Sequence, residues 1–161
     1  MRPQAYKTVS WDQLHADARA LARSLLSNPP GPVRGLVAIS RGGLIPAAIV
    51  AREIGCRVVE SVCVATYDEE RLGESDLLKP PAAAGDGSGW VIVDDLVDSG
   101  TTARLVRGLL PHAHFACLYA KPKGADVADR WVEEVPHGTW VLFPWDTAPQ
   151  FVPPLVKGGP G

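Results

Sequence analysis

With 161 residues, 46% hydrophobic and 21% charged, the chain has the size and apolar content of one globular domain with its own core, residues 1–161. A formal net charge of -2, from 16 basic and 18 acidic side chains, excludes the electrostatic footprint of a nucleic-acid binder but leaves room for a locally built phosphate site. No stretch is long and apolar enough to form an integral membrane segment. The opening MRPQAYKTVSWDQ lacks the apolar region of a secretory signal, so a cytoplasmic place is expected.

In chain order, Ser10 and Gln13 have the spacing of a capping box, and Leu14, Ala18, Leu21 and Leu25 recur at helical intervals. Asn28-Pro29-Pro30-Gly31 stops the run, which predicts a helix over 11–27. Gly35 to Ile39 is a short continuous apolar strand, broken by Ser40-Arg41-Gly42-Gly43. A helix over 44–54 follows, closed by Gly55, and the β-branched run from Val58 to Thr66 predicts a strand. From 67 to 89 the character changes to mixed charge, Pro80-Pro81 and a glycine-rich end, the composition of a long loop or lid. Trp90 to Val93 is the most apolar strand. A helix over 101–110, a strand from Phe115 to Ala120 and a last strand from Trp140 to Phe143 complete the pattern, before a Pro/Gly-rich tail over 152–161. Cys56, Cys63 and Cys117 have no CxxC spacing, lie in or beside apolar runs, and read as buried thiols of a reducing compartment.

Strand, turn and helix alternate, which gives the α/β class with a mostly parallel central sheet flanked by helices. Ligands of such sheets bind beyond the carboxyl ends of the strands. Three loops of unusual composition fall there: Ser40–Gly43, Asp94–Thr102 and Lys121–Lys123.

The segment Val91-Ile92-Val93-Asp94-Asp95-Leu96-Val97-Asp98-Ser99-Gly100-Thr101-Thr102 carries the chemistry. An apolar strand brings two adjacent carboxylates to its open end. A turn of small and hydroxyl residues then opens a helix, whose first N–H groups have no intrahelical partner and favour an anion. Hydroxyls of Ser99, Thr101 and Thr102 add donors. A carboxylate pair cannot bind phosphate directly, but it can bind ribose hydroxyls or a divalent cation, and oxygen ligands of this kind favour magnesium. Cradle and acids together describe a site for a phosphorylated sugar.

This segment resembles the binding motif of the type I phosphoribosyltransferases for 5-phosphoribosyl pyrophosphate: apolar strand, two acids, two apolar residues, then Asp-Thr/Ser-Gly and Thr. Position 101 is Thr where Gly or Lys is common. Ser40-Arg41-Gly42-Gly43-Leu44-Ile45-Pro46 resembles the family's pyrophosphate loop, with glycines that let the backbone approach and a guanidinium that matches phosphate. Trp11-Asp12, Ala51-Arg52-Glu53, Tyr67-Asp68, Ala120-Lys121-Pro122, Thr139-Trp140, Pro144-Trp145-Asp146 and Phe151-Val152-Pro153-Pro154 extend the likeness over nearly the whole chain, to a bacterial branch acting on guanine and xanthine.

The resemblance implies a small base-binding hood and a flexible lid besides the sheet. It implies that Arg41, Gly42, Gly43, Asp94, Asp95, Asp98, Ser99, Gly100, Thr101 and Thr102 bind 5-phosphoribosyl pyrophosphate, that Asp94 and Asp95 hold Mg2+, and that Arg71 reaches the pyrophosphate when the lid closes. Lys121 would donate to the purine 6-oxo group, Trp140 would stack on the ring, and backbone at Trp140 and Val141 would meet the base edge. Leu142-Phe143 stands where a polar or acidic residue is expected, which bears on the choice among guanine, xanthine and hypoxanthine.

The implied reaction is glycosyl transfer at ribose C1, with pyrophosphate leaving ahead of attack by purine N9 and Asp98 accepting the N7 proton. The resemblance also implies a homo-oligomer, dimer or tetramer, with Phe151 and Val152 as candidate contact residues, and for some members a peripheral position on the inner face of the cell membrane. A different class stays open: proteins of this fold that sense phosphoribosyl pyrophosphate or a nucleotide and regulate nucleic acids. That class calls for a basic face or an added module, and neither is present in this sequence.

Overall fold

The structure is a computed structural model and describes residues 3–66, 75–146 and 155–158. The elements are β1 (Ala5–Thr8), α1 (Trp11–Ser27), β2 (Gly35–Ser40), α2 (Leu44–Ile54), β3 (Val59–Thr66), β4 (Ser75–Lys79), β5 (Trp90–Val97), α3 (Thr101–Leu109), β6 (His114–Ala120), β7 (Arg130–Glu134), β8 (Thr139–Leu142) and α4 (Leu155–Gly158). Six strands form the main sheet in the order β4-β3-β2-β5-β6-β7, and β1 with β8 forms a separate two-stranded sheet. All pairs are parallel except β3 with β4.

The central strands β2, β5 and β6 are buried on both faces, which is why their sequences read as continuous apolar runs without alternation. Residues of opposite parity nevertheless serve opposite faces. Leu36, Ala38, Val91 and Val93 pack with Leu14, Leu21 and Leu25 of α1 and Val50 of α2. Val37, Ile39, Ile92 and Phe115 pack with Ala103 and Val106 of α3. Two helices therefore cover one face and one covers the other. The inner side of the small sheet joins the first cluster through Val141, with Val9 and Phe143 beside it.

The helix ends follow the expected signals, with one difference. Ser10 Oγ accepts from the Gln13 N–H at 3.1 Å, but the Gln13 side chain does not return to Ser10; it donates to Asp17 at 2.8 Å. Asp17 also accepts from the buried Tyr119 hydroxyl, so the polar groups of α1 are spent on anchoring it to β6. Gly55 ends α2 in the left-handed region, φ 73°, with its N–H on the Arg52 carbonyl at 3.2 Å and the Cys56 N–H on Ala51 at 2.9 Å.

Three expectations are corrected. The interval 67–89 is not one loop: Ser75–Lys79 pairs antiparallel with β3, Ala82–Ala84 forms a short 3-10 turn, and Glu60 ties the two with bonds from Lys79 Nζ at 2.6 Å and Ala83 N at 3.3 Å. Strand β5 does not end at Val93 but carries both aspartates and reaches Val97, because β6 pairs alongside up to Val97↔Ala120. Of the three cysteines only Cys117 is buried; Cys56 and Cys63 are half-exposed. Strands β1 and β7 escaped the sequence reading. Each is a short, mostly exposed edge strand with little apolar content, so its pairing rather than its composition makes it a strand. Arg71, Phe151 and Val152 lie outside the described residues.

Candidate active site

After β2 the chain crosses to β3 on one side, and after β5 it crosses to β6 on the other. The carboxyl ends of β2 and β5 thus sit side by side where the winding reverses, the place at which open α/β sheets leave a crevice. A pocket of about 230 Å³ lies there. It is lined by Ser40, Arg41 and Gly42 from the turn after β2, and by Asp94 and residues 96–103 from the end of β5 and the start of α3. Two stretches separated by some fifty residues of sequence become the two walls of one site.

Local chemistry explains each wall. Gly100 has φ 84°, a left-handed conformation suited to glycine, and as N-cap of α3 it offers no side chain, while the Thr101 N–H makes a long 3.4 Å bond to Ser99 Oγ. The start of this nine-residue helix therefore keeps donors for an anion. Ser99 Oγ and Thr101 Oγ1 lie 3.0 Å apart and set the hydroxyls of the turn together. On the other wall the Ser40–Arg41 peptide is cis. Gly42 touches the Asp95 carboxylate so closely that a Cβ would stand 2.2 Å from Oδ2 and 2.6 Å from Oδ1, and a Cβ on Gly43 would stand 2.4 Å from the Val93 carbonyl. Both positions need glycine because β5 runs against this turn, not because of a positive φ. Gly42→Ala is expected to push Asp95 and the turn apart, costing about 1–3 kcal/mol of stability and roughly tenfold or more in kcat/KM for the phosphorylated substrate. Thermal unfolding and steady-state kinetics on the variant check both.

The acids behave as a pair. Asp94 Oδ1 accepts from the Asp95 N–H at 2.9 Å, and Asp95 Oδ1 accepts from the Leu96 N–H at 2.8 Å. Burial first, then the charge of Asp95, raises the Asp94 carboxyl well above the usual carboxylate range. Burial also raises Asp95, and the charge of Asp146 adds to it. Two close carboxylates in a dry setting repel unless one keeps its proton or a cation is bound, so the pair is a candidate cation site. Among the described residues there is no group of three metal-ligating side chains. Magnesium does not require one, since it is commonly held by one or two carboxylates with water and substrate oxygens.

Asp98 is mostly exposed at the pocket, and its Oδ2 meets Lys121 Nζ at 2.9 Å. The lysine side chain is only 8% exposed, so Lys121 is not a solvated residue at the strand end. Its backbone N–H donates to the Val97 carbonyl at 2.8 Å, which sets the turn after β6 against the turn after β5. Trp140 stands on β8 and is 48% exposed, not a core residue. Strand β8 pairs with β1 on one edge, with Tyr6 opposite Trp140 and Lys7 opposite Val141. Among the described residues, the other edge leaves main-chain groups of Trp140 and Val141 without a ladder partner. Neither residue lines the pocket itself.

The departure at Leu142-Phe143 has a packing reason. Phe143 is buried, stacks on Trp145 at 4.8 Å between ring centroids, and lies 5.9 Å from Tyr119, so it is a core residue of the small sheet. Sequence reasoning gave no role to Asp146, which does not line the pocket but lies near the acids. Its Oδ2 accepts from the Phe143 N–H at 2.8 Å, and its charge reaches Asp95. The only sequence signal was its place in Pro144-Trp145-Asp146.

A phosphate cradle and a carboxylate pair meeting at the switch point of a parallel sheet define a protein that handles phosphorylated sugars. The phosphoribosyl transferase domain family matches residues 10–151, and the chain belongs to that family. It is 64% identical to the xanthine-guanine phosphoribosyltransferase of Gluconobacter oxydans strain 621H, over 94% of this chain and 91% of that one. It is 50% identical to the xanthine-guanine phosphoribosyltransferase of Desulfotalea psychrophila, over 92% of this chain and 91% of the relative. Among solved structures, the purine phosphoribosyltransferase from Pyrococcus horikoshii Ot3 matches with a TM-score of 0.76 at 26% identity, covering 94% of this chain and 100% of that one. The α/β fold expected from sequence is thus borne out. No helix among the described residues is long and apolar enough to cross a membrane.

Proposed function

We propose that the protein transfers the 5-phosphoribosyl group from 5-phosphoribosyl pyrophosphate to N9 of a 6-oxopurine, guanine or xanthine with hypoxanthine as a further substrate, releasing pyrophosphate in purine salvage. The observation that carries this reading is the joining of Asp94 and residues 96–102 with Ser40, Arg41 and Gly42 around one pocket.

The residues divide the work by position. The start of α3 with Ser99, Gly100, Thr101 and Thr102 holds the 5-phosphate. Asp94 and Asp95 face the ribose hydroxyls and would hold Mg2+, which when bound neutralises charge on the pyrophosphate. Arg41, Gly42 and Gly43 receive the departing pyrophosphate, the guanidinium matching its oxygens. Lys121 donates to the purine 6-oxo group and Asp98 accepts the N7 proton as N9 attacks, so the two ends of one ion pair contact neighbouring atoms of the same base. Trp140 stacks on the ring. A lid over the stretch before β4, which lies outside the described residues and includes Arg71, would exclude water from the oxocarbenium-like centre.

The direct test is product formation from guanine, xanthine and hypoxanthine, each with 5-phosphoribosyl pyrophosphate and magnesium. Turnover without a gel shift on nucleic acid supports the enzyme over a regulator; tight phosphoribosyl pyrophosphate binding with no purine consumed would reverse that. Trp140→Leu is expected to raise KM for the purine about tenfold, the usual worth of one stacked base, with KM for the sugar phosphate unchanged. Since Trp140 is half-exposed, unfolding should barely move; equal effects on both KM values would place Trp140 elsewhere.

The unpaired cysteines suit a reducing cytoplasm. We assign a homo-oligomeric assembly, supported by exposed apolar side chains at Leu44 and Ile45 of α2, at Val58 and Val59, and at Leu77 and Leu78 of β4. Light scattering on the purified protein reads the assembly directly.

A further inference from the structure

Arg104 lies in the first turn of α3, its N–H closing that turn on the Gly100 carbonyl at 2.8 Å. A cation here opposes the helix dipole, and no acidic residue in the first turn offsets it. The position therefore weakens the helix unless the side chain serves something else.

What it serves is visible in its three acceptors. One terminal nitrogen donates to the Ser99 carbonyl at 2.9 Å. The other donates to the Lys123 carbonyl at 3.3 Å and to Asp126 Oδ1 at 3.0 Å. The guanidinium also lies over Gly100, where a Cβ would come within 2.7 Å of it. One planar fork thus spans the turn after β5 and the turn after β6. Those turns already touch at Gly124, where a Cβ would stand 2.7 Å from the Asp98 carbonyl and 2.9 Å from the Gly100 nitrogen.

The Asp126 contact by itself is a surface pair of little worth, with that carboxylate 69% exposed. The two carbonyls matter more. In a trans peptide the C=O and the next N–H point opposite ways, so fixing the Ser99 carbonyl fixes the Gly100 N–H and the direction in which the turn enters α3. Fixing Lys123 holds the stretch that begins at Lys121, the partner of Asp98.

We propose that Arg104 is a positioning residue that locks the 5-phosphate turn to the base-recognition turn, so that phosphate binding and Lys121 placement depend on one side chain. It touches neither reacting atom. The inference rests on the reading of 98–102 as a phosphate cradle.

The full-length wild type, Arg104→Met and Arg104→Lys are compared for ribose 5-phosphate binding by calorimetry, and for kcat and KM of both substrates, with circular dichroism reporting folding. In folded Arg104→Met, Kd for ribose 5-phosphate and KM for phosphoribosyl pyrophosphate are expected to rise about tenfold, with kcat falling less than about threefold. Arg104→Lys keeps the charge but cannot span three acceptors, so it is expected to recover part of the affinity. Kd and KM within about twofold of wild type in the folded Met variant, whatever happens to its melting temperature, would overturn the proposal. If the Met variant fails to fold, Arg104→Lys decides: a rise in Kd of about threefold or more supports the lock, and an unchanged Kd removes it. A wild type that binds ribose 5-phosphate but forms no nucleotide sinks the transferase reading while the Kd comparison still decides Arg104. A wild type that does not bind it overturns both.

Discussion

Asp98→Asn is expected to lower kcat by about 10²- to 10⁴-fold, the usual contribution of a positioned general base, while the chain stays folded. An amide cannot take the purine N7 proton, so N9 would have to attack from a base that keeps it. The fold survives because Asn retains an oxygen for Lys121 Nζ, now 2.9 Å from the carboxylate, and because position 98 is mostly exposed. Alanine would be a poorer probe, since it leaves an almost buried ammonium without its partner. Steady-state kinetics with guanine and xanthine, beside circular dichroism, measure the two effects separately. Unimpaired turnover in the folded variant would leave Asp98 as a cap of the phosphate turn and require another base.

Lys121→Met is expected to separate function from stability in the opposite sense. The stem of Lys121 is packed and its ammonium nearly buried, whereas Asp98, its partner, is open to water. Methionine fills the stem's space and removes the cost of burying a charge, while the stranded carboxylate is free to hydrate. Stability should therefore hold to within about 1 kcal/mol of wild type, or rise. Loss of a charged donor to the 6-oxo group should lower kcat/KM for the purine roughly 10- to 100-fold, with KM for the sugar phosphate little changed. Thermal melts and kinetics on the same preparation test both halves. A large loss of stability would mean that the ion pair anchors the turn after β6 rather than reading the base. The double variant with Asp98→Asn then measures how far the two residues act as one unit, because their effects should fall well short of additive.

The sequence by itself determined more of the site than of the sheet. Its apolar runs at 35–39, 90–93 and 115–120 identify the doubly covered central strands, because burial on both faces gives continuous apolar runs that are too short for helices and end at turn residues. The turn at Asp98–Thr102 that lines the pocket was legible because its features are local: a strand end, a glycine that accepts a positive φ, hydroxyls and a helix start lie within a dozen residues. Helix ends at Ser10 and Gly55 were legible for the same reason.

Tertiary structure alone decided the rest, wherever a residue's role depends on partners distant in the chain. Strands β1, β4 and β7 exist through pairing with β8, β3 and β6, and their own compositions are too polar or too short to announce it. That Gly42 must lack a side chain follows from Asp95 lying against it, and the burial of Lys121 follows from the packing of the turn after β6. Asp146 adds its charge near Asp95 only through the fold, since the two lie far apart in the chain. Arg104 reads in sequence as one more surface charge on a helix. Only the approach of the turns after β5 and β6 gives its fork two carbonyls to hold, since hydrogen-bond geometry between distant segments is fixed by sheet order and not by composition.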